Sequence, residues 1–156
     1  MNFSEQLLFL KQQYIPLLKQ LRADAPAKWG KMNVQQMVEH IRDAFKAASG
    51  KLHIPAVPQN PEHAQKLREF LLSDKPFREN TNAPFMPETP RAHKYASLDE
   101  AIAKTEPELK AYFDVYEQQP GIEIENPVFG LLNYELHTAL LYKHTTHHLR
   151  QFGVEV

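Results

Sequence analysis

The chain has 156 residues, a length that suits one domain with room for a real core, and 42% of them are hydrophobic. Its net charge of −1, with no run of Lys or Arg, gives nucleic acid no electrostatic footing. It contains no cysteine, so disulfides and thiolate ligands are excluded, and any metal site must use nitrogen and oxygen donors.

Phe3, Leu7, Leu10, Tyr14, Leu17 and Leu21 alternate in steps of four and three, the seam of a helix packed in a bundle. The first ten residues hold only a short apolar run after Glu5. They are neither a signal peptide nor a membrane span, so the cytoplasm is the default expectation. Pro16 removes one backbone donor and predicts a kink, and Ala25-Pro26 closes the element.

A second helix opens at the N-cap Asn33, with Gln36 in capping-box position. Its buried face is Val34, Met37, Val38, Ile41, Phe45 and Ala48, and Ser49-Gly50 ends it. His40 lies on the flank of that face, where it can point inward or outward.

Residues 50–96 hold seven of the twelve prolines and read as a long connection, with one short helix starting at Asn60-Pro61. A connection of this length predicts a cover over a site, with Phe77 and Phe85 as its apolar anchors. Ser97 and Glu100 form a capping box for a third long helix bearing Ile102, Leu109, Phe113 and Tyr116, which Pro107 kinks or splits. Pro120-Gly121 ends it, and a loop containing Asn126-Pro127 follows. The fourth helix runs from about Asn133 to Phe152. No segment alternates like a strand for long, and the sum is an all-α domain over residues 1–156.

The fourth helix carries a stripe of histidines. At about 100° per residue, His137, His144 and His148 share a narrow sector with Leu140, Leu141 and Phe152, and His147 sits at its edge. Lys143, Thr145, Thr146 and Arg150 point elsewhere. Burying an unsatisfied imidazole costs about 1–3 kcal/mol, and a divalent ion would remove that cost. His144 and His148, four apart, can converge on one ion.

His40 is the best third ligand, because a neighbouring helix can present it to the same cavity. His137 is the rival, though at about 1.5 Å of rise per residue it lies roughly 10 Å along the helix from His144. His147 suits a packed ring or a supporting hydrogen bond, and Gln151 suits either a hold on a ring nitrogen or a plain helix-end role. His53, His63 and His93 are expected in solvent. Other chemistries lack their residues: there is no H-E-x-x-H, no G-x-S-x-G and no glycine-rich phosphate loop.

Four segments carry a resemblance. Trp29 to His40, Leu72 to Phe77, Asn126 to Gly130, and the run from His144 to Gly153 together resemble a small bacterial branch of the DinB-like superfamily. The resemblance implies a four-helix bundle with one long crossover and a divalent metal (Zn, Ni or Fe) on His40, His144 and His148. Two positions depart from the pattern. Asn126 stands where relatives carry a histidine before the proline, and His137 stands where they carry Trp, an aromatic packing position.

Three neutral imidazoles leave an ion with open positions, as in catalytic sites. The superfamily's thiol-using transferases imply transfer of a low-molecular-weight thiol to an electrophile. A metal-dependent hydrolase and a non-catalytic metal-pinned bundle are the alternatives. Glu39, Asp43 and Gln151 are candidate assistants. Expected partners are a small-molecule substrate, with neither nucleic acid nor membrane, and there is room for a homodimer.

Overall fold

The N-terminal seam forms three successive pieces, α1 (Phe3–Leu8), a π-helical stretch (Phe9–Gln13) and α2 (Tyr14–Lys19), in a computed structural model that describes residues 1–81 and 86–156. The irregularity expected at Pro16 lies one turn earlier. Tyr14 N–H donates to the carbonyl of Phe9, five residues back, which widens the turn ahead of the proline ring. The extra residue rotates the seam, so Leu18 is fully buried while Leu17 is only partly so. The helix also stops at Lys19, short of the expected end at Ala25-Pro26.

α3 (Val34–Ala48) follows the sequence reading closely. Asn33 Oδ1 accepts from Gln36 N at 2.8 Å and Gln36 Oε1 accepts from Asn33 N at 2.9 Å, a complete capping box. α4 (Pro61–Leu72) is the short helix of the connection, capped by Asn60. α5 (Leu98–Gln118) continues through Pro107 as one helix, so the proline does not split it. Its capping box is only half as expected: Ser97 accepts from Glu100 N, but the Glu100 carboxylate reaches back to Ala96 N.

The loop read after α5 contains a two-stranded antiparallel hairpin, β1 (Ile124–Asn126) and β2 (Gly130–Leu132). Asn126 Oδ1 accepts from Val128 N and Phe129 N, which closes the turn, and Gly130 takes a φ of +78°. The incoming connection docks on this turn through Val57 N, which donates to the Pro127 carbonyl at 2.8 Å.

α6 (Tyr134–Gln151) is the central element, packed against α1, α3 and α4. Here the single-stripe reading fails. Lys143, Thr145 and Thr146 are buried along with His137, His147 and His148. The threonine hydroxyls donate to the carbonyls of Leu141 and Tyr142, one turn back in the same helix, so their burial leaves no donor unpaired.

The main core joins the N-terminal helices, α3, α5 and one side of α6. A second, smaller core of Leu71, Phe129, Leu132, Ala139 and Leu140 ties α4 and the hairpin to its other side. The structure is mostly helical, and among the described residues no helix is long and apolar enough to cross a membrane.

One side chain in the main core breaks the pairing rule. Tyr14 is fully buried against Phe45, ring centroids 5.8 Å apart, and its hydroxyl has no hydrogen-bond partner among the described residues. An unpaired buried hydroxyl costs about 1–3 kcal/mol. Tyr14→Phe is therefore expected to raise unfolding stability by about 1 kcal/mol in urea titrations. A loss of that size would show that the hydroxyl is hydrogen-bonded in solution.

Candidate metal centre

The packing of α3 on α6 brings His40 to the pair His144 and His148. Their ring centroids lie 4.8 Å (His40–His144), 5.1 Å (His40–His148) and 4.9 Å (His144–His148) apart. One ligating nitrogen from each falls within 4.8 Å of the others. The closest pair, His40 Nε2 and His144 Nε2, stand 2.9 Å apart. His148 is buried, and His40 and His144 are nearly so, each of the two keeping only partial exposure.

Burial dominates the electrostatics. It holds the His40 pKa down to about 4, against a smaller upward pull from Asp43 and small downward pushes from Arg91 and His147. His148 falls to about 3 by burial and by repulsion from His40, partly opposed by its bond to Gln151. His144 lies well below the ordinary imidazole value, through burial first and then the three neighbouring histidines. All three rings are neutral at pH 7 and can offer lone pairs.

Gln151 selects the tautomer of His148. Its Nε2 donates to the Trp29 carbonyl at 2.8 Å, so its Oε1 faces His148 Nδ1 at 2.7 Å and accepts that N–H. The His148 Nε2 lone pair is left for the cluster. The loop that holds Gln151 is tight. Lys28 N donates to the Gln151 backbone carbonyl, and Gly30, at φ +78°, has no space for a Cβ, which would stand 2.8 Å from Gln151 Nε2. Asn80 Oδ1 accepts from Gly30 N at 3.0 Å and ties the long connection to the same loop.

The remaining candidates fall elsewhere. His137 Nδ1 lies 2.9 Å from the Tyr116 oxygen. That hydroxyl spends its own proton on the Leu132 carbonyl at 2.7 Å, so the imidazole N–H donates to it, and His137 is a satisfied core residue. His147 is a packed ring between Trp29 and His148, with centroids 5.2 Å and 5.0 Å away. Glu39 accepts from Lys94 N and Gln35 Nε2, and Asp43 pairs with Arg42 and Arg91. Neither carboxylate joins the cluster, and among the described residues no other acidic group or histidine does so.

His53 and His63 are exposed as expected, while His93, also exposed, bonds Asn33. Phe77 of the connection stands edge-on to His144 and His147, 6.1 and 6.0 Å between centroids, and stacks on Phe70. Phe85, its expected companion, lies outside the described residues. A cleft of about 450 Å³ near Gln20 and Pro26 holds no ligating cluster. Compared with protein-family models, curated proteins and solved structures, the chain finds no match.

Two outcomes follow from this geometry. Gln151→Ala frees His148 to take the other tautomer and should weaken metal binding about 10–100-fold, read by competition with a chromophoric chelator. The second concerns pH. A histidine whose folded pKa is depressed binds fewer protons folded than unfolded, so its stability contribution is present above about 6.5 and is lost as pH falls. His137, held down to about 3 by burial, should alone account for about 2 kcal/mol lost by the metal-free protein between pH 7 and pH 5. Urea unfolding of wild type and His137→Phe at both pH values checks it, the variant showing the shallower dependence.

Proposed function

We propose that this chain is a metal-dependent enzyme, a DinB-like four-helix bundle with a long crossover. In this reading it holds one divalent ion (Zn, Ni or Fe) on His40, His144 and His148 and transfers a low-molecular-weight thiol to an electrophile. The observation that carries the proposal is the convergence of three neutral imidazoles from two helices, with no fourth ligand among the described residues. A sealed structural site would be expected to supply four protein ligands.

A divalent ion bound there would lower the pKa of a coordinated thiol or water toward neutrality. The chain's own residues prepare the site. Gln151 orients His148, and burial keeps the imidazoles unprotonated at neutral pH. Phe77 and Trp29 cover His147 and the flank of His144 with apolar rings, which thins the water around the cluster. Nitrogen ligands alone do not choose among Zn, Ni and Fe.

A hydrolase would use the same three ligands with water as nucleophile. The non-catalytic reading draws on the same cross-link between α3 and α6, in which an ion would simply pin the two helices.

Metal analysis tests the ligand set first. His40→Ala, His144→Ala and His148→Ala are each expected to lose the one ion per chain that wild type holds, while His137→Ala keeps it. Retention by all three would overturn the assignment. Metal-replete protein is then expected to conjugate small thiols to an electrophile faster than the His144→Ala variant or free metal. Ester hydrolysis without thiol dependence would favour the hydrolase, and no rate above that control would favour the pinned bundle.

A further inference from the structure

Lys143 is a buried cation, 6% exposed, beside His144 in the middle of α6. Its ammonium donates to the carbonyls of Ser73 at 2.5 Å and Lys75 at 2.6 Å. The third donor direction is covered by the ring of Phe70, with Nζ 4.9 Å from its centroid. Ser73 and Lys75 lie just beyond the C-terminal end of α4, where helix carbonyls attract a cation. The whole donor capacity of the side chain is thus spent on one short piece of the connection.

Desolvating an ammonium is expensive, and a Met or Leu would pack against Phe70 without that cost. What the ammonium adds is placement. Two residues past Lys75 comes Phe77, which stacks on Phe70 at 5.7 Å and turns its edge to His144 and His147. One helix therefore presents the cluster's His144 and, from the adjacent residue, the group that holds the aromatic cover against it. The second tether of the connection, Asn80 on Gly30, lies three residues beyond Phe77.

We infer that Lys143 is a positioning residue: by gripping the Ser73 and Lys75 carbonyls it holds Phe77 as an apolar wall beside His144, and that wall makes the site prefer coordinating molecules with a flat apolar body. The inference deepens the metal reading and names the chemical class of its substrate, an aryl or similarly apolar thiol rather than a small hydrophilic anion. The wall itself exists whether or not an ion is bound.

Two measurements on Lys143→Met and Phe77→Ala test it. In metal-free protein, NMR should show cross-relaxation between the Phe77 and His144 rings in wild type, lost in Lys143→Met while α3 and α5 signals stay in place. In cobalt-substituted protein, the visible spectrum is titrated with azide and with benzenethiol. Both variants should bind azide within twofold of wild type and benzenethiol at least tenfold more weakly, the double variant no worse than either single one.

Ring cross-relaxation that survives in Lys143→Met, or azide and benzenethiol weakened alike, would overturn the inference. If Lys143→Met does not fold, Lys143→Gln, which keeps a shorter donor, serves in its place with the same expected losses. Failure of wild type to bind cobalt would instead sink the metal reading, leaving the ring contact to decide the clamp.

Discussion

Everything here hangs on the burial of α6. A helix that packs against the N-terminal helix, α3 and α4 has no solvent face along most of its length, yet this one carries three buried histidines, a lysine and three buried threonines. Polar groups placed there must be paired or they subtract from a small net stability. The pairing is done by different means at each position. Thr145 and Thr146 use their own helix, His137 uses Tyr116, Thr138 uses the Tyr112 hydroxyl at 2.6 Å, and Lys143 uses the connection. The surrounding elements are shaped as much by these demands as by apolar packing.

The connection between α3 and α5 shows the effect. It is rich in proline and could run freely over the surface, but polar tethers draw it onto the centre of the molecule. Lys143 takes two of its carbonyls, and Asn80 takes the amide of Gly30. Asn80 itself sits at φ +57°, a conformation that asparagine tolerates better than most residues. The loop around Trp29 receives the other end of this arrangement, because its carbonyl holds Gln151 and Gln151 holds His148. Two segments far apart in sequence thus meet at one histidine's supporting shell.

The sequence disclosed whatever is set by short-range spacing. The caps at Asn33 and Asn60 are local, and so is the four-residue step from His144 to His148. His40 was visible because it flanks an otherwise clear apolar face. The π-helical stretch was not, since it depends on how the backbone relieves Pro16, and the apolar spacing reads the same until the extra residue shifts it. A hairpin with three residues per strand is too short to show alternation. Lys143 misled because a lysine signals solvent in any local reading, and only the tertiary position of the α4 end shows what it bonds. Tyr116 as the partner of His137 likewise follows from a long-range side-chain contact between α5 and α6, which no periodicity encodes.

His137 and the three clustered histidines are partnered in different ways. His137 shows what this fold does with an imidazole that serves the core: a tyrosine accepts its proton and a backbone carbonyl anchors the tyrosine. Of the three at the cluster, His148 alone has such an outer partner among the described residues, in Gln151, which leaves the lone pair on its Nε2. His40 and His144 turn Nε2 atoms toward each other at 2.9 Å, a separation that one shared proton satisfies and two lone pairs resist. Each neutral ring carries one N–H, so either can donate across that gap, and protonating either ring further is opposed by burial. One ligating nitrogen from each of the three rings stays within 4.8 Å of the others, an arrangement that could hold a divalent ion.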